Sequence, residues 1–389
     1  MRYRIDPGTG DKLSVLGFGC MRLPIDFDKA ERLIMSAIEN GVNYFDTAYV
    51  YRNSEAVLGN VLKKNGVREK VFLATKLPYM RCSVHEDFEK FFNIQLERLK
   101  TSYIDYYLIH NLSDVALWRS LVDIGITEWI AEKKASGQIK RVGFSFHGSR
   151  ENFMALVDAY EWDFCQIQYN YTDENYQAGR AGLARAHAKG MPVIVMEPLL
   201  GGRLANGLPK KAAAVFKHHN KRRSAASWAL RWLWDQPEVT VVLSGMNGAD
   251  QLKDNLATAD AAAPGMLSSE EAALYGPVVE IFKESYRVPC TGCNYCMPCP
   301  HGVNIPGCFS AYNVSYSFGL VAGLTMYITG TGANHPRKRY GGYSCRNCGA
   351  CLKKCPQHIA IPASLSDVTR RLEPFWIRGA IKAVSRLMP

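Results

Sequence analysis

The sequence predicts a (β/α)8 barrel followed by a small, mainly helical module organised around cysteines. Two observations carry this. Over residues 1–265, eight β-rich segments alternate with segments of helical spacing, and about 250 residues is the ordinary size of such a barrel. Near the C-terminus, eight of the 12 cysteines fall in two short runs, each ending in Cys-Pro. A doubly wound open sheet is the competing arrangement. It is disfavoured because no G-x-G-x-x-G follows the first strand-like segment.

Strand-like segments run over 13–20, 42–45, 71–75, 104–109, 139–144, 164–169, 192–195 and 239–243. Helical spacing occupies 29–40, 54–64, 85–100, 127–135, 150–160, 178–189, 224–234 and 249–259. Leu33, Ile34, Ala37 and Ile38 line one face of the first helix, and Gly41 closes it. Ser54 is a candidate N-cap for the second. Residues 266–289 read as a helical linker, 290–372 as the cysteine module and 373–389 as a tail. The tail alternates Phe375, Trp376, Ile377, Ile381 and Val384 with Arg378, Lys382 and Arg386, as a basic amphipathic helix does. Residues 318–330 are apolar but short and broken by glycines, so they read as a buried helix or loop and not as a transmembrane segment.

The 389-residue chain is 47% hydrophobic, ample for a large core plus a small module, and carries a formal charge of +11. The charge is uneven. Residues 290–389 hold 11 Lys/Arg against Asp367 and Glu373 alone. Basic residues gather at 336–339, Lys353-Lys354 and Arg370-Arg371. They serve either as counter-charge for the module's own thiolates or as a dock for an acidic electron carrier. No aromatic stacking pattern or known motif points to nucleic acid.

The first cysteine run is Cys290, Cys293, Cys296, Cys299, and the second is Cys345, Cys348, Cys351, Cys355. The second reads C-x2-C-x2-C-x3-C-P, the bacterial two-cluster ferredoxin pattern, whose fourth cysteine binds the other cluster. The runs repeat at an offset of 55 residues, and at 56 past the fourth cysteine, where both read C-P-x-x-[V/I]-x-I-P. Two halves related in this way would exchange fourth ligands. One 4Fe-4S cluster is then assigned to Cys290, Cys293, Cys296 and Cys355, the other to Cys345, Cys348, Cys351 and Cys299. The shortened spacing before Cys299 leaves four local ligands as the alternative. Structural zinc prefers two C-x2-C pairs separated by a loop. Disulfides are disfavoured, because no signal peptide opens the sequence and thiols stay reduced in the cytoplasm, the expected location. Cys20 and Cys165 lie in apolar segments and read as inert buried thiols.

In barrels of this kind chemistry gathers where strands end on the C-terminal face. Those points carry Asp46, Lys76, His110, Ser145, Gln166, Glu197 and Ser244, a row that argues for one shared site. The motifs Asp46-Thr47-Ala48 with Tyr51, Ala74-Thr75-Lys76 and Leu108-Ile109-His110-Asn111 resemble the Asp, Tyr, Lys, His set of the aldo-keto reductase family over roughly residues 1–260. The whole chain is similar to the subgroup with a C-terminal ferredoxin-like 4Fe-4S module.

That resemblance implies an oxidoreductase that interconverts a small carbonyl compound and its alcohol. Tyr51 would be the general acid, Lys76 would lower its pKa by stabilising phenolate, Asp46 would hold Lys76, and His110 would orient the carbonyl. It also implies a nicotinamide site. Ser145 and Gln166 would bind the carboxamide, Met196 would lie against the ring, and Ser244, Gly245, Gln251 and Asn255 would meet the adenosine and phosphates. The chain departs from the family at Phe146, where an Asn is usual, at Met196, where an aromatic is usual, and at Gln251, where an Arg often meets the 2′-phosphate. NADP and NAD therefore both stay open. Hydride chemistry moves electrons in pairs and a 4Fe-4S cluster moves one. A flavin would convert between them; no flavin motif is present, although such sites can lack one. A partner ferredoxin, flavodoxin or flavoprotein is the other route. Two further readings remain: a non-catalytic electron-transfer or regulatory protein, and a cluster-fed reductase that does not use nicotinamide.

Overall fold

A computed structural model describes residues 1–175, 177–330 and 341–374. Ten strands and fifteen α-helices are described. A short antiparallel hairpin, β1 (Tyr3–Ile5) and β2 (Lys12–Ser14), precedes the barrel. The barrel strands are β3 (Leu16–Gly19), β4 (Tyr44–Asp46), β5 (Phe72–Leu77), β6 (Ile104–Ile109), β7 (Ile139–Phe146), β8 (Phe164–Gln168), β9 (Val193–Met196) and β10 (Val239–Ser244). They pair in parallel and in chain order, and β10 closes on β3. The predicted strand over 13–20 is thus two strands. Its first part turns back on β1, and only 16–19 enters the barrel.

The layer between barrel and helices comes from the helices α1 (Phe27–Glu39), α2 (Ser54–Lys64), α3 (Glu86–Leu99), α4 (Val115–Val122), α5 (Ile126–Ala135), α6 (Arg150–Val157), α7 (Gly179–Ala188), α9 (Ala225–Trp234) and α10 (Ala249–Asp260). Sequence periodicity finds all of these except α4, whose start is marked by Asp114 accepting the backbone N–H of Leu117. Ser54 does not cap α2. Its hydroxyl bonds the Cys20 carbonyl and Thr47, and Asn53 takes the N-cap position without a side-chain bond.

Period-two alternation sorts the strand residues into two cores. Tyr44, Ala74, Tyr106, Leu108, Phe164, Ile194, Val241 and Leu243 fill the barrel interior. Phe45, Leu73, Tyr107, Ile109, Phe144, Cys165, Val195 and Val242 face the helices. Cys20 and Cys165 are fully buried, and burial pushes both thiols up, which leaves them inert. The hairpin serves the barrel's N-terminal end. Buried Asp6 accepts from Tyr106 Oη at 2.9 Å and pairs with Arg141 at 3.0 Å.

The chain divides into two units, Met1–Leu199 with Arg223–Ala272, and Leu200–Arg222 with Ala273–Pro389. Residues 200–222, inside the stretch 1–265 expected for the barrel, group with the second unit. They carry α8 (Lys210–His219), which the periodicity misses. Phe216 on α8 meets Tyr275 edge-on at 5.5 Å, and Tyr286 Oη donates to the Gly207 carbonyl at 2.7 Å. The expected helical linker 266–289 contains α11 (Ser269–Ala273) and α12 (Tyr275–Ser285). The second unit then carries α13 (Ile305–Ser317), α14 (Leu320–Gly330) and α15 (Ile361–Leu372) around a core of Val303, Phe309, Ile359, Leu365 and Val368. Residues 318–330 were expected to be buried. They form helix α14, yet Val321 is 78% exposed and Leu320 41%. Among the described residues no helix is long and apolar enough to cross a membrane. The basic stretch 336–339 and residues 375–389 of the expected amphipathic tail lie outside the described residues.

Gly59 is where α2 and α3 touch. A Cβ there would stand 2.3 Å from the Arg98 carbonyl oxygen and 2.5 Å from the Leu99 backbone. Backbone atoms cannot yield as a side-chain tip does. Gly59→Ala is expected to destabilise the barrel by about 1–3 kcal/mol despite alanine's better helix propensity. Urea unfolding measures this, and a stabilised variant would contradict the contact.

Candidate active site and cysteine centres

Inward-facing strand ends meet at the C-terminal mouth of the barrel. Lys76 and Asp46 are 1% and 3% exposed. Lys76 Nζ donates to Asp46 Oδ2 at 2.6 Å and to the Thr47 carbonyl at 2.7 Å. Burial pushes the carboxyl up and the ammonium down, and each partner offsets part of the other's shift. The same ammonium lies 5.3 Å from the centroid of the Tyr51 ring. His110 meets that ring edge-on at 6.0 Å. Burial first, then Lys76 and His147, hold the His110 imidazole well below its usual range, so the ring is neutral near pH 7. The four predicted residues therefore share one place. An ammonium beside a phenol favours proton release from that phenol. Tyr49, two residues before Tyr51, packs edge-on against Phe91 at 5.2 Å.

A second polar layer, on the helix side, holds this one. Gln95 on α3 donates to the Lys76 carbonyl at 3.0 Å and to buried Glu55 on α2 at 2.8 Å. Glu55 also accepts from Thr75 at 2.7 Å and from Arg98 at 3.1 Å. Nothing in the motif spacing points to this pair of helix residues.

Of the other predicted positions, Ser145, Gln166 and Met196 face inward, since Phe144, Cys165 and Val195 before them face the helices. Ser145 Oγ accepts the Asn111 backbone N–H at 2.8 Å. Gln166 Nε2 lies 3.6 Å from Met196 Sδ, and its buried Oε1 accepts no hydrogen bond. Ser244 faces outward and bonds Asn255 at 2.9 Å, while Gln251 Oε1 accepts the Asn247 N–H at 2.9 Å ahead of α10. Gly245 follows Ser244 beyond the end of β10, where an added Cβ would meet the Gly19 carbonyl oxygen at 3.8 Å. Glu197, from the row of strand ends, follows Met196 at a φ of 54°. Inward residues one step higher on β7 and β8 add His147 and Gln168. Asp173 accepts from Gln168 Nε2 at 3.0 Å, Gln177 Nε2 donates to Gln168 Oε1 at 3.1 Å, and His147 Nδ1 lies 3.1 Å from Gln177 Oε1. Because a carboxylate only accepts, the chain fixes both amides and places the His147 proton on Nδ1. Extending the alternation past Gln166 would have found Gln168; Gln177 comes from a loop.

In the second unit, Cys290, Cys293, Cys296 and Cys355 line one small pocket, partly open to solvent, with apolar walls from Ile305, Phe309 and Ile361. Burial pushes the Cys296 thiol up to about 12, and Cys293, Cys290 and Cys355 beside it act in the same direction. Burial also raises Cys351, which has Cys345, Cys299 and Cys348 as neighbours. Cys355 thus stands with the first run and Cys299 with the second. Thiolates crowded in this way need a cation among them. Four cysteines lining one pocket are a donor set that suits an iron–sulfur group.

The repeat extends to the backbone. Gly292 and Asn347 are left-handed at φ 70° and 54°, and so are Asn294 and Gly349 at 67° and 73°, each pair at the 55-residue offset. Gly302 and His358 match at the offset of 56, at 73° and 49°. Left-handed residues two apart bend the chain tightly between the cysteines of both runs. Cys308 is fully buried in the core beside Phe309.

Because the folded chain keeps His110 neutral, its stability has an acid-side dependence. Below about pH 6.5 the unfolded chain binds a proton that the folded chain does not, so stability falls with pH by about 1.4 kcal/mol per unit from this group. His110→Gln should remove that share of the loss between pH 7 and 5.5 in urea unfolding. Identical slopes for variant and parent would contradict the buried neutral ring.

Residues 15–266 match the Aldo/keto reductase family, and residues 289–360 match the 4Fe-4S dicluster domain. The chain is similar to the uncharacterized oxidoreductase YrpG of Bacillus subtilis, 26% identical over 66% of this chain and 90% of that one. It is 30% identical to methylglyoxal reductase YeaE of Escherichia coli over 51% of this chain and 68% of the other. Among solved structures it resembles aldo-keto reductase AKR11C1 from Bacillus halodurans in its holo form, with a TM-score of 0.59 and 25% identity over 72% of this chain and 96% of that one. The closed barrel with its Asp46, Tyr51, Lys76 and His110 grouping and the cysteine-lined second unit accord with both matches, and the chain belongs to the aldo-keto reductase family of oxidoreductases, with a C-terminal 4Fe-4S dicluster domain.

Proposed function

We propose that the chain interconverts a small carbonyl compound and its alcohol with NADPH or NADH, Tyr51 acting as the general acid. We further propose that two 4Fe-4S clusters exchange single electrons with an external carrier. The observation that carries the first reading is the buried Lys76–Asp46 pair, whose ammonium stands against the Tyr51 ring.

In the reducing direction Tyr51 gives its phenolic proton to the carbonyl oxygen as that oxygen gains charge. Lys76, held by Asp46 and the Thr47 carbonyl, stabilises the phenolate left behind. Neutral His110 orients the carbonyl oxygen from the other side. Nicotinamide, typical of the family, would supply the hydride. The buried acceptor Gln166 Oε1 fits the N–H of its carboxamide, and the Ser145 hydroxyl, already accepting from Asn111, has its own proton to donate. Met196 would lie against the ring. Gly245, Gln251 and the Ser244–Asn255 bond would line the adenosine end. Gln251 is neutral there, so charge does not select NADP over NAD.

Cys290, Cys293, Cys296 and Cys355 would hold one cluster, and Cys345, Cys348, Cys351 and Cys299 the other, each storing one electron. Such centres suit a reducing, cytoplasmic setting. Two departures from the family favour the second reading, a reductase fed from the clusters without nicotinamide. Phe146 packs outward against Phe153 at 5.0 Å, and Met196 replaces an aromatic ring.

Anaerobic turnover of NADPH or NADH against a panel of aldehydes and ketones tests the first reading. Tyr51→Phe should lower kcat by about 10²–10⁴-fold while nicotinamide binding, followed by fluorescence, persists. A parent without activity on any carbonyl, and indistinguishable from Tyr51→Phe, would refute it. Activity with dithionite-reduced clusters but no nicotinamide binding would establish the second reading instead.

A further inference from the structure

The two cysteine sets differ in exposure. In the first, Cys290 and Cys296 are both 8% exposed and Cys293 and Cys355 half-buried; in the second, Cys348 is exposed and Cys345, Cys351 and Cys299 are half-buried. Around the second run stand the exposed cations Arg346, Lys353 and Lys354, the last two on the turn Leu352–Lys354. No acidic residue occurs between 341 and 366. Two large side chains on the same run are also exposed, Tyr343 at 40% and Leu352 at 44%. An exposed cysteine edge, a cationic rim and a pair of apolar contacts on one short stretch are the features of a transient docking surface. Opposite charge brings the partner in and orients it, and a small apolar contact brings the redox groups close.

We propose that the set Cys345, Cys348, Cys351 and Cys299 is the port through which electrons enter or leave. Its partner is a small acidic one-electron carrier protein that docks on Arg346, Lys353 and Lys354. This rests on the reading above that both cysteine sets hold clusters. In the reducing direction the docked carrier loses one electron and the cluster held by this set gains it. No bond is made or broken and no proton need move. The buried set exchanges electrons with the outer set, not with the carrier. Solvent and cations around the outer set also ease the extra negative charge of its reduced state.

The test uses the full chain with its clusters reconstituted and a reduced, acidic bacterial-type ferredoxin as probe, mixed by stopped flow under anaerobic conditions. Iron analysis comes first. Fewer than about eight irons per chain would overturn the two-cluster reading and the port with it. With full iron content, Arg346→Glu/Lys353→Glu/Lys354→Glu should lower the second-order rate of reduction at least tenfold at low salt. It should also flatten the rate's dependence on ionic strength. Photoreduction by a neutral deazaflavin should be unchanged. An unaltered ferredoxin rate in a fully loaded variant would overturn the port alone. Cys348→Ser and Cys293→Ser fix the order. Fast reduction by ferredoxin should be lost in the first and kept in the second, and the reverse result would assign the port to the buried set.

Discussion

The barrel end is organised by one buried ion pair. Lys76 and Asp46 sit side by side on neighbouring strands, almost without contact to water. Withdrawing two charges from water is costly, and their attraction offsets that only when the remaining donors and acceptors are satisfied. The Thr47 carbonyl takes a second ammonium proton, and Gln95 ties down the Lys76 backbone from the helix layer. Removing either charge would leave the other buried and alone. The register of β4 and β5 and the packing of α2 and α3 are therefore coupled to the geometry around Tyr51.

The second unit answers a similar difficulty differently. Its cysteines crowd in places where burial opposes a thiolate, so charge can collect there only beside a cation. The chain turns tightly around each place, using left-handed residues between the cysteines. Gly and Asn occupy those positions because they alone enter that region at little cost. Paired left-handed sites at a fixed offset show that the two halves share a backbone and not merely a cysteine count.

On the proposed function the two centres work in different units of charge: hydride chemistry beside Tyr51 would move electrons as a pair, and a cluster in each cysteine set would move one. Cys348 is exposed while Cys290 and Cys296 are buried, so the two sets meet solvent unequally. Arg346, Lys353 and Lys354 lie in a stretch of sequence, 341–366, that carries no acid to neutralise them.

Much of this was legible from sequence, for identifiable reasons. Strand period, helix spacing and size identify the barrel, because burying alternate residues leaves a period-two trace. Asp46, Lys76 and His110 follow from strand spacing, since residues at the ends of parallel strands must converge, and Tyr51 joins them through the resemblance to the aldo-keto reductase family. The cysteine pairing follows from the repeat. What local pattern could not show is whatever depends on distant neighbours. Ser54 looks like a cap, yet its hydroxyl serves Cys20 and Thr47. Glu55 and Gln95 look like ordinary helix residues, yet they support Lys76. Residues 200–222 lie within the barrel's stretch of sequence but pack with α12. Apolar 318–330 looks buried, yet its helix exposes Val321. By itself the sequence determined which residues can do chemistry and the period on which they repeat. Tertiary structure alone decided which of them lose water and which keep it, because burial is a property of the packed neighbours and not of the residue.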